Sequence, residues 1–185
     1  MRICIDPGHG MGNRGAGVYD SGAVGNGLQE ADICLAWALT LRWTLANAGI
    51  PAWMTRTDDR TEDPVGRRAG QALAHGCTHL LSIHCNSADD PAASGVEAFY
   101  HDAGDQAWAQ VVANAAVHAM TPTHLRGVKS EGESQHNRLA VLAFPGPATL
   151  VEIGFISNPS EAHRMAVRMN RIAFAEAVLA GIRAL

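Results

Sequence analysis

The chain has 185 residues and a formal charge of -4, from 14 lysines and arginines against 18 aspartates and glutamates. That length suits one ordinary domain, able to bury roughly 70% of the surface its unfolded form exposes. The acidic balance and the absence of a basic run argue against nucleic acid and anionic membranes as partners.

No stretch reaches about 18 apolar residues, so no membrane span is expected. The opening Met1-Arg-Ile-Cys-Ile5 lacks the charged and apolar regions of a signal peptide. Cys4, Cys34, Cys77 and Cys85 form no Cys-x-x-Cys pair and fall in apolar runs, so they read as buried, reduced thiols.

In chain order, short apolar runs alternate with helical patterns, as in an α/β domain with a mainly parallel sheet. Strands are predicted at residues 2–6, 51–55, 79–84, 95–100, 139–142 and 149–153. Between the first two, Cys34, Trp37, Ala38, Leu41, Leu45 and Ala48 recur at helical spacing, and Gly49 with Pro51 ends the segment. Glu30 begins that face in the first turn, where the helix dipole favours a carboxylate.

Further helices are predicted over 63–75 and 105–120. A last one starts at Asn158-Pro-Ser-Glu161 and carries a core stripe of Met165, Met169, Ile172, Ala175, Leu179 and Ile182. Two long segments, 10–27 and 121–138, have no sustained period. Loops of that length in a compact domain are usually functional, and both are expected to border the site.

The candidate site combines four residues. His9 lies in Asp6-Pro-Gly-His-Gly10, Glu30 in Gly27-Leu-Gln-Glu30, His84 in Leu80-Leu-Ser-Ile-His-Cys-Asn86, and Glu152 in Leu150-Val-Glu-Ile-Gly-Phe155. His9, His84 and Glu152 fall at or just after strand ends, where open α/β sheets bind ligands. Two imidazoles and a carboxylate form an open zinc ligand set, and a second carboxylate can move the proton. Singly, each has a plain structural explanation: a loop histidine, a core histidine, a helix-dipole acid, a buried acid paired to arginine. No Gly-Lys-Ser/Thr phosphate loop, dinucleotide fingerprint or Gly-x-Ser-x-Gly elbow is present.

Together with Asp20-Ser-Gly-Ala23, Thr55-Arg56, Asp58, Arg68, Gly95-Val-Glu97, Arg126-Gly-Val-Lys129 and Val151-Glu-Ile-Gly-Phe-Ile-Ser-Asn-Pro159, these segments resemble the zinc-dependent N-acetylmuramoyl-L-alanine amidases of the Amidase_3 type. The resemblance runs in order from Met1 to the last helix. It implies a single α/β domain over 1–185, with a twisted, mostly parallel (mixed) sheet of about six strands and helices on both faces. It also implies Zn2+ bound by His9, Glu30 and His84, with Glu152 as the catalytic acid.

The implied substrate is peptidoglycan, cut at the amide between N-acetylmuramic acid and the L-alanine of the stem peptide. Asn86, Arg126 and Lys129 are candidate substrate contacts, the two cations suiting muropeptide carboxylates. A monomer is expected. A compact catalytic unit without a signal peptide looks like a phage or prophage endolysin, made in the cytoplasm and released to the cell wall through a holin for cytolysis. The alternatives are another zinc peptidase or deacetylase acting on the wall, and a non-catalytic wall-binding module.

Overall fold

A computed structural model describes residues 1–185. The chain opens with strand β1 (Ile3–Pro7), followed by two small hairpins, β2 (Gly10–Met11) with β3 (Tyr19–Asp20) and β4 (Val24–Gly25) with β5 (Leu28–Gln29). Helix α1 (Glu30–Asn47) leads to β6 (Ala52–Met54), and a 3-10 turn (Val65–Arg67) runs into α2 (Arg68–Ala74). Then come β7 (His79–Asn86), β8 (Val96–Tyr100), α3 (Gln106–Ala119) and β9 (Leu125–Ser130). A 3-10 turn (Ala140–Ala143) precedes β10 (Ala148–Phe155), and α4 (Pro159–Ala166) and α5 (Arg168–Ala184) finish the chain.

The main sheet has the order β6-β1-β7-β10-β8-β9. All its pairings are parallel except β10 with β8, so the mixed, mostly parallel α/β fold expected from the sequence is the one observed.

Side-chain alternation along the central strands divides the core in two. Ile3, Ile5, Leu81, Ile83, Cys85, Val151 and Ile153 join α1, α3 and α5 in a cluster of 26 buried residues. Cys4, Leu80, Phe99 and Leu150 face the other way, into a cluster of 10 with Ala72 of α2 and Val141 and Leu142 of the 3-10 turn. The second face therefore has the thinner cover, and it is the face that carries His84 and Glu152. Trp37 of α1 donates to Met165 O (3.0 Å), and Trp108 of α3 to Leu80 O (2.8 Å), fixing the helical layer.

Three predicted elements differ from the structure. Residues 139–142 form no strand; the short apolar run instead curls into the 3-10 turn and buries Val141 and Leu142. A run of that length carries no period able to separate the two outcomes. Strand β9 was read as loop because Leu125-Arg-Gly-Val-Lys-Ser130 is polar, a composition suited to an edge strand.

The last helix is two. Val167 is extended (φ -71, ψ 120), which breaks the stripe: Met165 stays buried, Met169 is exposed, and α5 buries Phe174, Ala175 and Val178. All four cysteines are free and buried. No helix is long and apolar enough to cross a membrane.

Candidate metal centre

β1, β7 and β10 lie side by side and end at one rim. His84 of β7 is in register with Glu152 of β10, which is in register with Glu97 of β8. His9 follows β1, and Glu30 enters at the start of α1 from in front.

The loop before α1 supplies the helix cap that Gln29 does not. Ala23 O accepts from Glu30 N (2.9 Å), Ser21 O accepts from Ala31 N (3.0 Å), and Ala23 N donates back to Glu30 Oε2 (2.9 Å). Cys85 N donates to Glu30 Oε1 (2.9 Å). The carboxylate is thereby fixed between a helix start and a strand end.

Glu30 bridges the two imidazoles, with Oε2 3.0 Å from His9 Nε2 and Oε1 3.0 Å from His84 Nδ1. One donor atom from each of the three residues falls within 4.8 Å of the others. Donors on a tetrahedral zinc ion, each about 2.0–2.1 Å from it, sit roughly 3.3–3.4 Å apart, a spacing these three could reach by small side-chain movements. Burial alone would raise the Glu30 carboxyl, but the imidazoles of His84 and His9 hold it well below the usual range. Burial opposes protonation of His9, yet Glu30 and Asp20 outweigh it and leave His9 raised.

Asp20 was singled out by the sequence only within a motif. Its Oδ2 lies 3.2 Å from His9 Nδ1, a charge contact rather than an aligned hydrogen bond, and it accepts from Asn13 Nδ2 (2.6 Å). A carboxylate behind a ligating histidine orients the ring and raises its basicity.

Beneath the His9 loop sits a buried polar cluster that the sequence suggested only as scattered arginines. Arg56 donates to Pro7 O (3.1 Å), Gly8 O (2.7 Å) and Ala31 O (2.9 Å). Arg68 donates to Asp6 Oδ1 (3.0 Å), His9 O (2.8 Å) and Asn13 Oδ1 (3.0 Å). Two guanidinium groups thus hold the turn on which His9 has a left-handed φ of 60°, a region uncommon for residues other than glycine. Two glycines are required sterically: a Cβ on Gly8 would come within 2.4 Å of the His84 ring, and one on Gly22 within 2.6 Å of Glu30 Oε2.

Glu152 borders the same cleft, in register with His84, but makes no hydrogen bond to any of the three. Its Oε2 is buried without a hydrogen-bond partner. Burial, then the charges of Glu30 and Glu97, push its carboxyl well above the ordinary value. A carboxyl shifted in that direction is one able to take part in proton transfer.

The cleft has a volume of about 560 Å³ and is bordered by His9, Glu30, His84 and Glu152 together with both long segments, through Asn13, Gly22, Gln135 and His136. His136 therefore belongs to the rim. Asn86 also lines it, whereas Lys129 borders a smaller hollow of about 130 Å³ shared with Glu97 and Glu152. Arg126 and Lys129 both donate to Glu97 Oε1 (2.9 and 2.7 Å), and Asn86 to Glu97 Oε2 (3.1 Å). The three candidate substrate contacts thus converge on one carboxylate.

Fold and site together define an α/β protein that gathers two imidazoles and two carboxylates on its sheet's carboxyl rim, three of them a set that could hold a metal ion. Residues 3–184 match the Amidase_3 family, described as N-acetylmuramoyl-L-alanine amidase, and the chain belongs to that family. It is 31% identical over 173 residues to the germination-specific N-acetylmuramoyl-L-alanine amidase of Bacillus subtilis, covering 86% of this chain and 69% of that protein. N-acetylmuramoyl-L-alanine amidase AmiA of Salmonella typhimurium is 41% identical over 98 residues, which span 52% of this chain and only 31% of AmiA. Among solved structures, the amidase AmiC2 of Nostoc punctiforme superposes with a TM-score of 0.84 at 30% identity, covering 100% of this chain and 96% of that one.

Proposed function

We propose that this chain hydrolyses the amide between N-acetylmuramic acid and L-alanine in peptidoglycan, with zinc held by His9, Glu30 and His84. The observation carrying this reading is the buried, partnerless carboxyl of Glu152, in register with His84 and beside three converging donors. A binding module has no need of such an acid. The family's amidase character and the printed activities of the relatives support the amide as the bond cut.

When bound, zinc supplies Lewis acidity toward the amide carbonyl and the attacking water. Glu152 accepts the proton of that water as the carbon–oxygen bond forms, then returns it to the alanine nitrogen as the carbon–nitrogen bond breaks. Asp20 and the two buried arginines hold His9 and its loop in place. Asn86 and Lys129 reach the cleft and the small hollow as proposed substrate contacts, with Arg126 behind them on Glu97.

Chelation tests the metal assignment. Activity on cell-wall suspensions should vanish with a zinc chelator and return on stoichiometric zinc; full activity in metal-free protein would refute it. The endolysin setting belongs to the same proposal. Expression in a bacterial host should cause lysis only when a holin is co-expressed, and holin-independent lysis would contradict it.

A further inference from the structure

A second hollow adjoins the cleft of the candidate metal centre at Arg138. It has a volume of about 610 Å³ and is lined by His101, Asp102, Asp105, Glu131 and Phe144. Each of the two has the size of an ordinary small-ligand site, and Arg138 is the residue they have in common.

The cations near these hollows differ in what holds them. Arg68 is buried and saturated by Asp6, His9, Asn13 and Asp63. Arg14 lies 3.5 Å from Asp20, and Arg126 and Lys129 are bound to Glu97. Arg138 is exposed and has no ion pair or side-chain hydrogen bond, so its guanidinium is the unengaged one at the junction.

Its backbone is nevertheless fixed. Glu131 Oε2 accepts from Leu139 N (2.7 Å), and Glu131 O accepts from Ser134 N (3.0 Å) and the Ser134 hydroxyl (2.7 Å). One residue thus clamps both ends of the short loop that displays Arg138. A planar, permanently charged fork on a pre-set loop suits bidentate recognition of a carboxylate.

We propose that Arg138 is a specificity-determining residue that pairs with a free carboxylate of the stem peptide, and that the hollow beyond it receives the peptide residues further from the scissile amide. The inference rests on the amidase reading and adds the substrate feature that the cleft selects.

The test compares two synthetic muramoyl tripeptides, one with free stem carboxylates and one with those groups converted to primary amides. Steady-state kinetics are measured for wild type, Arg138→Gln and Arg138→Lys. Wild type should prefer the free acid. Arg138→Gln should lose about 10–100-fold in kcat/KM on that compound, mainly through KM, as expected for a lost charge-assisted bond, while leaving the amidated compound unchanged. Arg138→Lys should restore part of the loss.

Equal losses on both compounds would assign Arg138 a merely structural role and overturn the inference. Wild-type release of the peptide without discrimination would overturn the inference alone. No release of alanine-terminated peptide from either compound would overturn the amidase reading and this inference with it.

Discussion

Replacing Arg68 with methionine removes the cation between two buried carboxylates while keeping most of the side-chain volume. Asp6 would retain the hydroxyls of Thr55 (2.7 Å) and Ser82 (2.6 Å) but lose its only counterion, at 1% exposure of both partners. Breaking a buried pair in this way costs about 3–5 kcal/mol, and carbonyls such as His9 O would lose their donor as well. Against a total stability of about 5–15 kcal/mol and a urea slope of about 2–3 kcal/mol/M, the denaturation midpoint should fall by roughly 1–2.5 M.

The deficit should depend on pH. Burial alone would raise the Asp6 carboxyl, but Arg68 and the two hydroxyls hold it below the ordinary value. That group stabilises the fold above its unfolded pKa of about 3.9, and the contribution is lost as pH falls through the lower folded value. Without Arg68, burial makes charging Asp6 unfavourable, so the gap between variant and wild type should be widest near pH 7 and narrow toward pH 4. Adding Asp6→Asn to Arg68→Met should recover at least about 2 kcal/mol in a double-mutant cycle. A midpoint shift under about 0.5 M, equal at both pH values, or strictly additive losses, would refute the assignment.

Gly8→Ala should displace the His84 ring, which a Cβ would meet at 2.4 Å, and weaken zinc binding in competition titrations with a chromophoric chelator; unchanged affinity would show that the loop simply yields. Asp20→Asn should lower zinc affinity about 10–100-fold while the thermal midpoint stays close to wild type, because it removes the carboxylate behind His9 rather than a ligand. Glu152→Gln should stabilise the metal-free protein at pH 7. The raised carboxyl destabilises the fold once pH exceeds its unfolded pKa of about 4.3, so the gain in urea midpoint should disappear at pH 4. A Glu152→Gln gain equal at both pH values would point to packing instead.

The central strands were legible because Ile3–Pro7, His79–Asn86 and Ala148–Phe155 are apolar runs whose polar residues fall near one rim. For the same reason His9, His84 and Glu152 could be placed together, and Glu30 by its position four residues before Cys34 on the buried helix face. What sequence hid was determined by tertiary partners. β9 is polar because it is an edge strand beside β8, and Leu139 to Leu142 has no period long enough to separate strand from 3-10 turn. The break at Val167 follows no proline or glycine; the side chain of Asn170 donates to Arg164 O (2.9 Å) across it, a contact no local pattern announces.

Charge was the least legible property of the site. Arg126 and Lys129 read as free cations for substrate, yet Glu97, 29 and 32 residues earlier in the chain, engages both. Nothing in the sequence around Arg138 marks it; it stands out only as the residue common to the two hollows.

The most direct test is mass spectrometry of purified peptidoglycan digested by wild type and by Glu152→Ala, with zinc content measured in both. The account predicts stem peptides with free alanine amino termini from wild type only, and equal zinc in the two proteins. Intact glycan–peptide linkages after zinc-replete digestion by wild type, or release undiminished in the variant, would contradict it.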